Sequence, residues 1–219
     1  MPDITSVVSF AGNACYGALA LMALWGAFCT IIVWRRVGQI RFRSEQEQTD
    51  FLNKFDEQLA VKDFEAADQL CEDDPRAVPQ LAGLAVDNRN LGYAKLRSLL
   101  VDRFQRDVLA DLEHRLSWVY TMIKAAPMVG LYGTVLGMMG AFGKLGASDK
   151  VSPTALASDI MLALTTTALG LTIAIPLIIC TNSINVRIRK LEELVGYGLA
   201  RVLEGIKQAL TTATASEEK

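Results

Sequence analysis

The chain has 219 residues and a formal net charge of −2, and its composition is 51% hydrophobic and 21% charged. Charged side chains are missing from three long runs, Ile4–Val33, Ala125–Gly143 and Ile160–Val186. A helix needs about 20 apolar residues to cross the hydrocarbon core of a bilayer. Three runs at or near that length exclude an ordinary soluble enzyme and a disordered chain, and the nearly balanced charge gives no sign of a nucleic-acid partner. The sequence predicts an all-α integral membrane protein with three transmembrane helices.

Basic residues predict how these helices cross the membrane. The first run is followed by Arg35 and Arg36, and the third by the basic segment 187–190. Because Lys and Arg close to a span stay on the cytoplasmic side, we expect the N-terminus outside and the C-terminus inside. A signal peptide would carry its positive charge before the apolar run, yet no Lys or Arg precedes Arg35. The first run is therefore predicted to be an uncleaved span.

In chain order, the pattern predicts six segments with alternating locations. They are an external N-terminus and first transmembrane helix over 1–34, a cytoplasmic helical domain over 35–124, a second transmembrane helix over 125–145, a short external loop over 146–158, a third transmembrane helix over 159–181, and a cytoplasmic C-terminal helix and tail over 182–219. From about Asn90 to Ile123, apolar residues recur at steps of three to five. That spacing predicts one long amphipathic helix that continues into the second span.

Small residues in the second and third spans predict close helix packing. Gly133 and Gly137 have the small-xxx-small spacing that allows helices to approach closely in lipid. In the third span, Ala163, Thr167 and Gly170 fall on one face at helical spacing. The residues predicted to serve helix packing are Gly130, Gly133, Gly137, Gly140, Gly170, Pro127 and Pro176.

Threonines supply the polar groups of these spans. The third span contains Thr165, Thr166 and Thr167, and the second contains Thr134. A single threonine in lipid commonly bonds to a carbonyl of its own helix, and this purely structural interpretation stays open for Thr165, Thr166 and Thr172. A cluster opposite Thr134 can instead line a narrow cleft that holds water or a side chain of a partner. None of the three runs contains Asp, Glu, Lys, Arg or His, so a proton path would need a titrating group from another chain.

Enzyme chemistry has no support in the sequence. The four cysteines have no metal-site spacing, and the one histidine, His114, has no metalloprotease motif around it. No nucleophile and base are paired in or near the spans. We therefore expect no catalytic residue, no cofactor and no metal.

Two motifs resemble those of a known family. The segment from Ala126 to Phe142 resembles the APxxGLxGTVxGMxxxF signature of the ExbB/TolQ/MotA family, and 163–176 resembles its ALxTTAxGLxxAIP signature. Three spans are similar to the ExbB/TolQ branch, whereas MotA-type subunits have a fourth. The resemblance implies a stator subunit of an ion-motive-force-driven motor in the bacterial inner membrane. It also implies a ring of five copies around two single-span helices of an ExbD/TolR-like partner, and work on a TonB/TolA-like envelope protein.

The resemblance further implies roles for individual residues. In the family, threonines of the ring face an intramembrane Asp of the partner, and by position these are Thr134 and Thr167, with Thr165 and Thr166 beside them. Several members carry Glu five residues before the span-three threonine, where this chain has Leu162. Asp159, one turn earlier, is expected to provide a charge at the outer mouth. A non-conducting membrane scaffold with the same packing glycines, surrounded by membrane lipid, stays open as the alternative.

Overall fold

The computed structural model describes residues 4–72, 74–147 and 153–217. These residues form helices joined by short connections, and no strand occurs among them. The helices are α1 (Ile4–Ile40), α2 (Glu45–Val61), α3 (Phe64–Glu72), α4 (Ala77–Asp87), α5 (Tyr93–Phe104), a π-helical turn (Gln105–Leu109), α6 (Ala110–Ala147) and α7 (Pro153–Glu217). The predicted all-α fold is confirmed.

Three of these helical segments are long and apolar enough to cross a bilayer. They lie within Phe10–Ile40, Tyr93–Gly146 and Leu156–Thr211, with mean hydropathies of 2.0, 1.4 and 2.1 in their most apolar windows. The three predicted spans are therefore confirmed by length and composition. The loop predicted over 146–158 is partly helical, because α6 continues to Ala147 and α7 begins at Pro153. The rest of that loop, 148–152, lies outside the described residues.

The chain divides into two compact units. The first, here called the apolar unit, consists of Met1–Ile32, as far as described, and Arg115–Ser183. The second, here called the polar unit, consists of Val33–His114 and the described part of Ile184–Lys219. Helices α1, α6 and α7 contribute residues to both units, so the long helices are shared between them.

In the polar unit, α2 packs against the C-terminal half of α7. Four buried α2 residues, Gln48, Leu52, Phe55 and Leu59, follow helical spacing. The Gln48 side-chain amide donates to the Leu194 carbonyl oxygen at 2.7 Å. Ser44 caps α2, since its hydroxyl accepts from the Glu47 N–H at 3.1 Å and satisfies one of the free donors at the helix start.

Arg76 joins three parts of the polar unit. Its Nη1 lies 2.6 Å from Glu47 Oε1 at the start of α2, and its Nε donates to Asp74 Oδ1 at 2.7 Å. Its guanidinium also stacks 3.9 Å from the centroid of the Phe42 ring. Burial raises the pKa of the Asp74 carboxyl, but the hydrogen bonds and charge of Arg76 outweigh this effect and hold that pKa below its usual value. The connections before α2 and α4 are thus fixed by one side chain.

The long helix predicted from about Asn90 begins at Tyr93 and contains a π-helical turn at Gln105–Leu109. The reason lies in the spacing of its apolar residues, which recur every four residues at Leu96, Leu100, Phe104, Val108, Leu112 and Leu116. With 3.6 residues per turn, each four-residue step advances the side chain by about 40° around an α-helix. A π-helical turn is wider and therefore takes back part of this drift. Leu112 and Leu116 are buried as a result, like Leu96 and Leu100.

Two neighbouring glycines on α7 provide a matched test of this packing. A Cβ on Gly198 would lie 2.9 Å from Val78 Cγ1 and 3.0 Å from Gln48 Nε2, whereas a Cβ on Gly196 meets nothing within 4 Å. We expect Gly198→Ala to lower the apparent melting temperature of the detergent-solubilised protein, because overpacking costs about 1–3 kcal/mol. Gly196→Ala should raise it, because alanine is about 0.5–1 kcal/mol better than glycine inside a helix. Circular dichroism measures both, and an equal rise in the two variants would contradict the packing.

Candidate functional site

Helices α6 and α7 approach each other closely in the apolar unit. A Cβ on Gly130 would lie 2.6 Å from the Thr166 carbonyl oxygen, and one on Gly137 would lie 2.5 Å from Ala163 Cβ. On the facing helix, a Cβ on Gly170 would lie 2.6 Å from the Ala126 carbonyl oxygen. Real Cβ atoms do not make such contacts, so only glycine allows the two backbones to come this near.

The close approach brings together three of the four predicted threonine hydroxyls. The Thr166 hydroxyl lies 2.9 Å from the Gly130 carbonyl oxygen and 2.7 Å from that of Ala163. Thr134 contacts the same two carbonyl oxygens, at 3.3 Å and 3.1 Å. Thr167 contacts the Gly130 carbonyl oxygen at 3.1 Å and also bonds to the Thr134 hydroxyl. Three hydroxyls therefore share two main-chain acceptors across α6 and α7, and we call this group the threonine cluster.

Burial separates the members of this cluster. Thr166 is only 2% exposed, whereas Thr134 and Thr167 are half-buried. Thr165 lies outside the cluster, because it is exposed and its hydroxyl donates to the Met161 carbonyl oxygen of its own helix at 2.8 Å. Successive residues of a helix point about 100° apart, so 165, 166 and 167 cannot all face α6.

The remaining predicted residues occupy several positions. Pro127 Cα would lie 3.2 Å from a Cβ on Gly170, and a Cβ on Gly133 would lie 2.6 Å from Thr166 Oγ1, so both residues belong to the α6–α7 contact. Gly140 lines a cavity beside that contact. Pro176 lies inside α7 and is exposed, away from the cluster.

Asp159 forms an ion pair that sequence reasoning missed. Lys144 near the end of α6 places its Nζ 2.7 Å from Asp159 Oδ2 near the start of α7. The Lys144 and Asp159 side chains are 59% and 24% exposed. An ion pair that solvent reaches contributes little to the free energy of folding, so the main effect of this pair is to connect the two helix ends. A sequence signal existed, since Lys144 and Asp159 are opposite charges that directly flank the two apolar runs.

Contacts of α1 were also missed. The Tyr16 hydroxyl donates to the Leu162 carbonyl oxygen at 2.8 Å, and a Cβ on Gly26 would lie 2.8 Å from Leu177 Cδ1. A tyrosine inside an apolar run is the available signal, because its hydroxyl needs a partner when water is excluded. Nothing in the sequence identified which helix would supply that partner.

The chemistry open to the cluster follows from its groups. A threonine hydroxyl both donates and accepts hydrogen bonds, so the cluster can exchange bonds with water or with a carboxyl group. It holds no group that changes charge near neutral pH, because the three apolar runs contain no Asp, Glu, Lys, Arg or His. Among the described residues, no three His, Cys, Asp or Glu side chains come together as metal ligands. The site can therefore form hydrogen bonds to water or to a carboxyl group, but a group that takes up and releases a proton would have to come from elsewhere.

Comparison with known proteins gives several relatives of this chain. The chain is 43% identical over 74 residues to the biopolymer transport protein ExbB of Helicobacter pylori, a match that covers 34% of this chain and 51% of that protein. It is 29% identical over 135 residues to the Tol-Pal system protein TolQ of Haemophilus influenzae, covering 62% of this chain and 53% of that protein. The ExbB of Aquifex aeolicus is 37% identical over 103 residues, covering 46% and 68%.

The chain thus spans about half the length of the first two of these relatives. Residues 82–196, more than half of the chain, match the model of the MotA/TolQ/ExbB proton channel family. That segment contains the glycine contact, the threonine cluster and the Lys144–Asp159 pair. The chain belongs to the MotA/TolQ/ExbB proton channel family, in its ExbB/TolQ-like branch.

Proposed function

We propose that the chain is a ring-forming stator subunit of an ion-motive-force-driven motor in the bacterial inner membrane. Its N-terminus is periplasmic and its C-terminus cytoplasmic, so that 35–124 and 182–219 lie in the cytoplasm. Together with an ExbD/TolR-like single-span partner, the ring conducts protons and couples their flow to work on the cell envelope. Five copies form the ring by analogy with the family, and a TonB/TolA-like protein receives the work.

The threonine cluster is the observation that carries this proposal. Three hydroxyls and two carbonyl oxygens lie together in spans that have no titrating group of their own. A proton path through a membrane needs an ionisable residue, and the partner's Asp would supply it. Thr134 and Thr167 are half-buried whereas Thr166 is almost fully buried, so a carboxyl group of the partner would meet the first two residues. The pair would orient that carboxyl group as it gains and loses its proton.

The available energy fits a motion of packed helices. One elementary charge that crosses a potential of 100 mV releases about 2.3 kcal/mol. This amount can shift the balance between two packed arrangements by more than tenfold, but it lies below the roughly 5–15 kcal/mol that hold a domain folded. Each proton would therefore bias a rotation or a sliding step of the ring around its partner.

The relatives support an envelope process as the target of this work, because they are named for biopolymer transport and for the Tol-Pal system. A non-conducting membrane scaffold is the alternative, and it would use the same glycine contacts. The two functions differ in their need for a partner with an intramembrane Asp. Family membership places the chain among proton-channel proteins, which favours the motor.

Removal of one hydroxyl tests the role of the cluster. We expect Thr167→Val to lower ion-driven activity by about tenfold or more, because a hydrogen bond to a charged group contributes about 1.5–3 kcal/mol. Assembly should persist, since Thr134 keeps two carbonyl acceptors and valine keeps the shape of threonine. Proton uptake into right-side-out membrane vesicles is the measurement, with complex recovery as the check on assembly.

Thr172→Val is the matched control on the same helix. The Thr172 hydroxyl is exposed and donates only to its own helix, to the Ala168 carbonyl oxygen at 2.8 Å. Proton uptake by this variant should equal that of the parent. Full uptake by Thr167→Val would remove the cluster from the proposed ion path.

Native mass spectrometry of the complex, extracted gently from its own membranes, tests the assembly. We expect five copies of this chain with two copies of a small single-span protein that carries one intramembrane Asp. Mutation of that Asp to Asn should abolish proton uptake with the complex intact. A homo-oligomer that reproducibly lacks any such protein in mild detergent would favour the scaffold.

A further inference from the structure

The apolar unit contains a cavity of about 200 Å³ where α1, α6 and α7 meet. Tyr16 of α1 lines one side, and Gly133, Gly137 and Gly140 line another. The third side is α7, which contributes residues from Asp159 to Thr166. The cavity lies beside the positions at which Gly133 and Gly137 bring α6 close to α7.

Both ends of the cavity are polar. The Lys144–Asp159 ion pair lies at one end, and Lys144 is more than half exposed. Thr166 lies at the other end, seven residues along α7 from Asp159, which corresponds to about 10 Å of helix. The cavity therefore extends from an exposed charge pair to a buried member of the threonine cluster.

The architecture keeps this space open. Gly133, Gly137 and Gly140 of α6 line the cavity and carry no side chain, so main chain forms this part of its wall. Tyr16 reaches past the cavity to bond the Leu162 carbonyl oxygen, so its ring lines the wall and fixes the distance between α1 and α7. Leu162 also lines the cavity, directly after the turn that carries Asp159.

The volume and the polar groups suit water. One water occupies about 30 Å³ in the liquid, so the cavity holds on the order of six. Buried water needs two to four polar partners, and five residues with polar side chains line this space: Asn13, Tyr16, Lys144, Asp159 and Thr166. A dry cavity of this size would instead be lined by apolar side chains alone.

We propose that this cavity holds a file of water molecules and is the outer access path of the transported ion, contained within a single chain. This inference rests on the proposed function and on the external position of 146–158. The water file ends at the cavity wall formed by Thr166, whose hydroxyl donates to the Gly130 carbonyl oxygen that Thr134 and Thr167 also contact, so the path ends beside the half-buried pair. Each subunit of the ring would thus contain its own outer path, and the ion would not have to enter between two subunits.

Thiol labelling tests for water without any need for ion flux. In a background with the four native cysteines replaced by alanine, Leu136→Cys places a thiol in the cavity wall, since Leu136 lines it and is 8% exposed. Met139→Cys is the control, because Met139 is 55% exposed on the helix surface and does not line the cavity. A charged, membrane-impermeant methanethiosulfonate reagent added to the outer face of spheroplasts should modify Leu136→Cys and leave Met139→Cys unmodified. The reaction needs a thiolate, which forms only where water is present.

A variant with a larger side chain in the cavity wall tests whether the cavity serves as the ion path. Gly140→Leu adds a side chain to the cavity wall, whereas a Cβ on Gly143 of the same helix meets nothing within 4 Å. In the complete complex, proton uptake should fall tenfold or more for Gly140→Leu and stay at the parent level for Gly143→Leu. Recovery of both complexes in equal amounts serves as the check on assembly.

The outcomes separate the two proposals. An unmodified Leu136→Cys together with full uptake by Gly140→Leu, in a parent that conducts, would overturn the access path and leave the stator function standing. A modified Leu136→Cys in a parent that conducts no protons would support the water-filled cavity and contradict the stator function.

Discussion

In a hydrocarbon environment every main-chain polar group must find its partner inside the protein, and this requirement governs the apolar unit. Main-chain carbonyl oxygens have two lone pairs, and a helix uses only one of them. The second lone pairs of Gly130 and Ala163 are exposed to hydroxyls because no side chain covers them at the α6–α7 contact. Close packing and polarity therefore have the same cause at this contact. The glycines have no side chains, which allows the two helices to meet and also exposes the carbonyl oxygens to the threonine hydroxyls.

The sequence predicted much of this arrangement, and physical reasons limit the rest. Glycine spacing and the two motifs identified α6 and α7 as a packed pair with threonines at the contact. Three consecutive threonines, however, point in three directions, and only the position of α6 decides that Thr166 is buried and Thr165 exposed. The partners of Asp159 and Tyr16 depend on three-dimensional proximity across 15 and 146 residues of chain, which local patterns do not encode.

In the polar unit, too, some features are visible in the sequence and others are not. The helical spacing of Leu52, Phe55 and Leu59 in the sequence is consistent with the buried face of α2. Asp63 caps the N-terminus of α3, because its carboxylate accepts a 2.9 Å hydrogen bond from the Ala66 N–H. The π-helical turn was missed, although its cause is visible as a four-residue repeat that an α-helix cannot keep on one face. Each four-residue step rotates the apolar side chains by only about 40° around the helix, and the rotation becomes large only over several turns. A sequence window of one or two turns therefore does not reveal the π-helical turn.

The glycines of the α6–α7 contact also determine which mutations of their codons the protein can tolerate. Any single-base change in the first or second position of a glycine codon creates a residue with a Cβ or a stop signal. At Gly130, Gly137 and Gly170 a Cβ would come within 2.6 Å of the facing helix, so even the smallest replacement is excluded. Missense alleles at these three codons should therefore behave alike regardless of the residue introduced, whereas Gly12, Gly17 and Gly143, with free space around the Cβ position, should tolerate small replacements in natural populations.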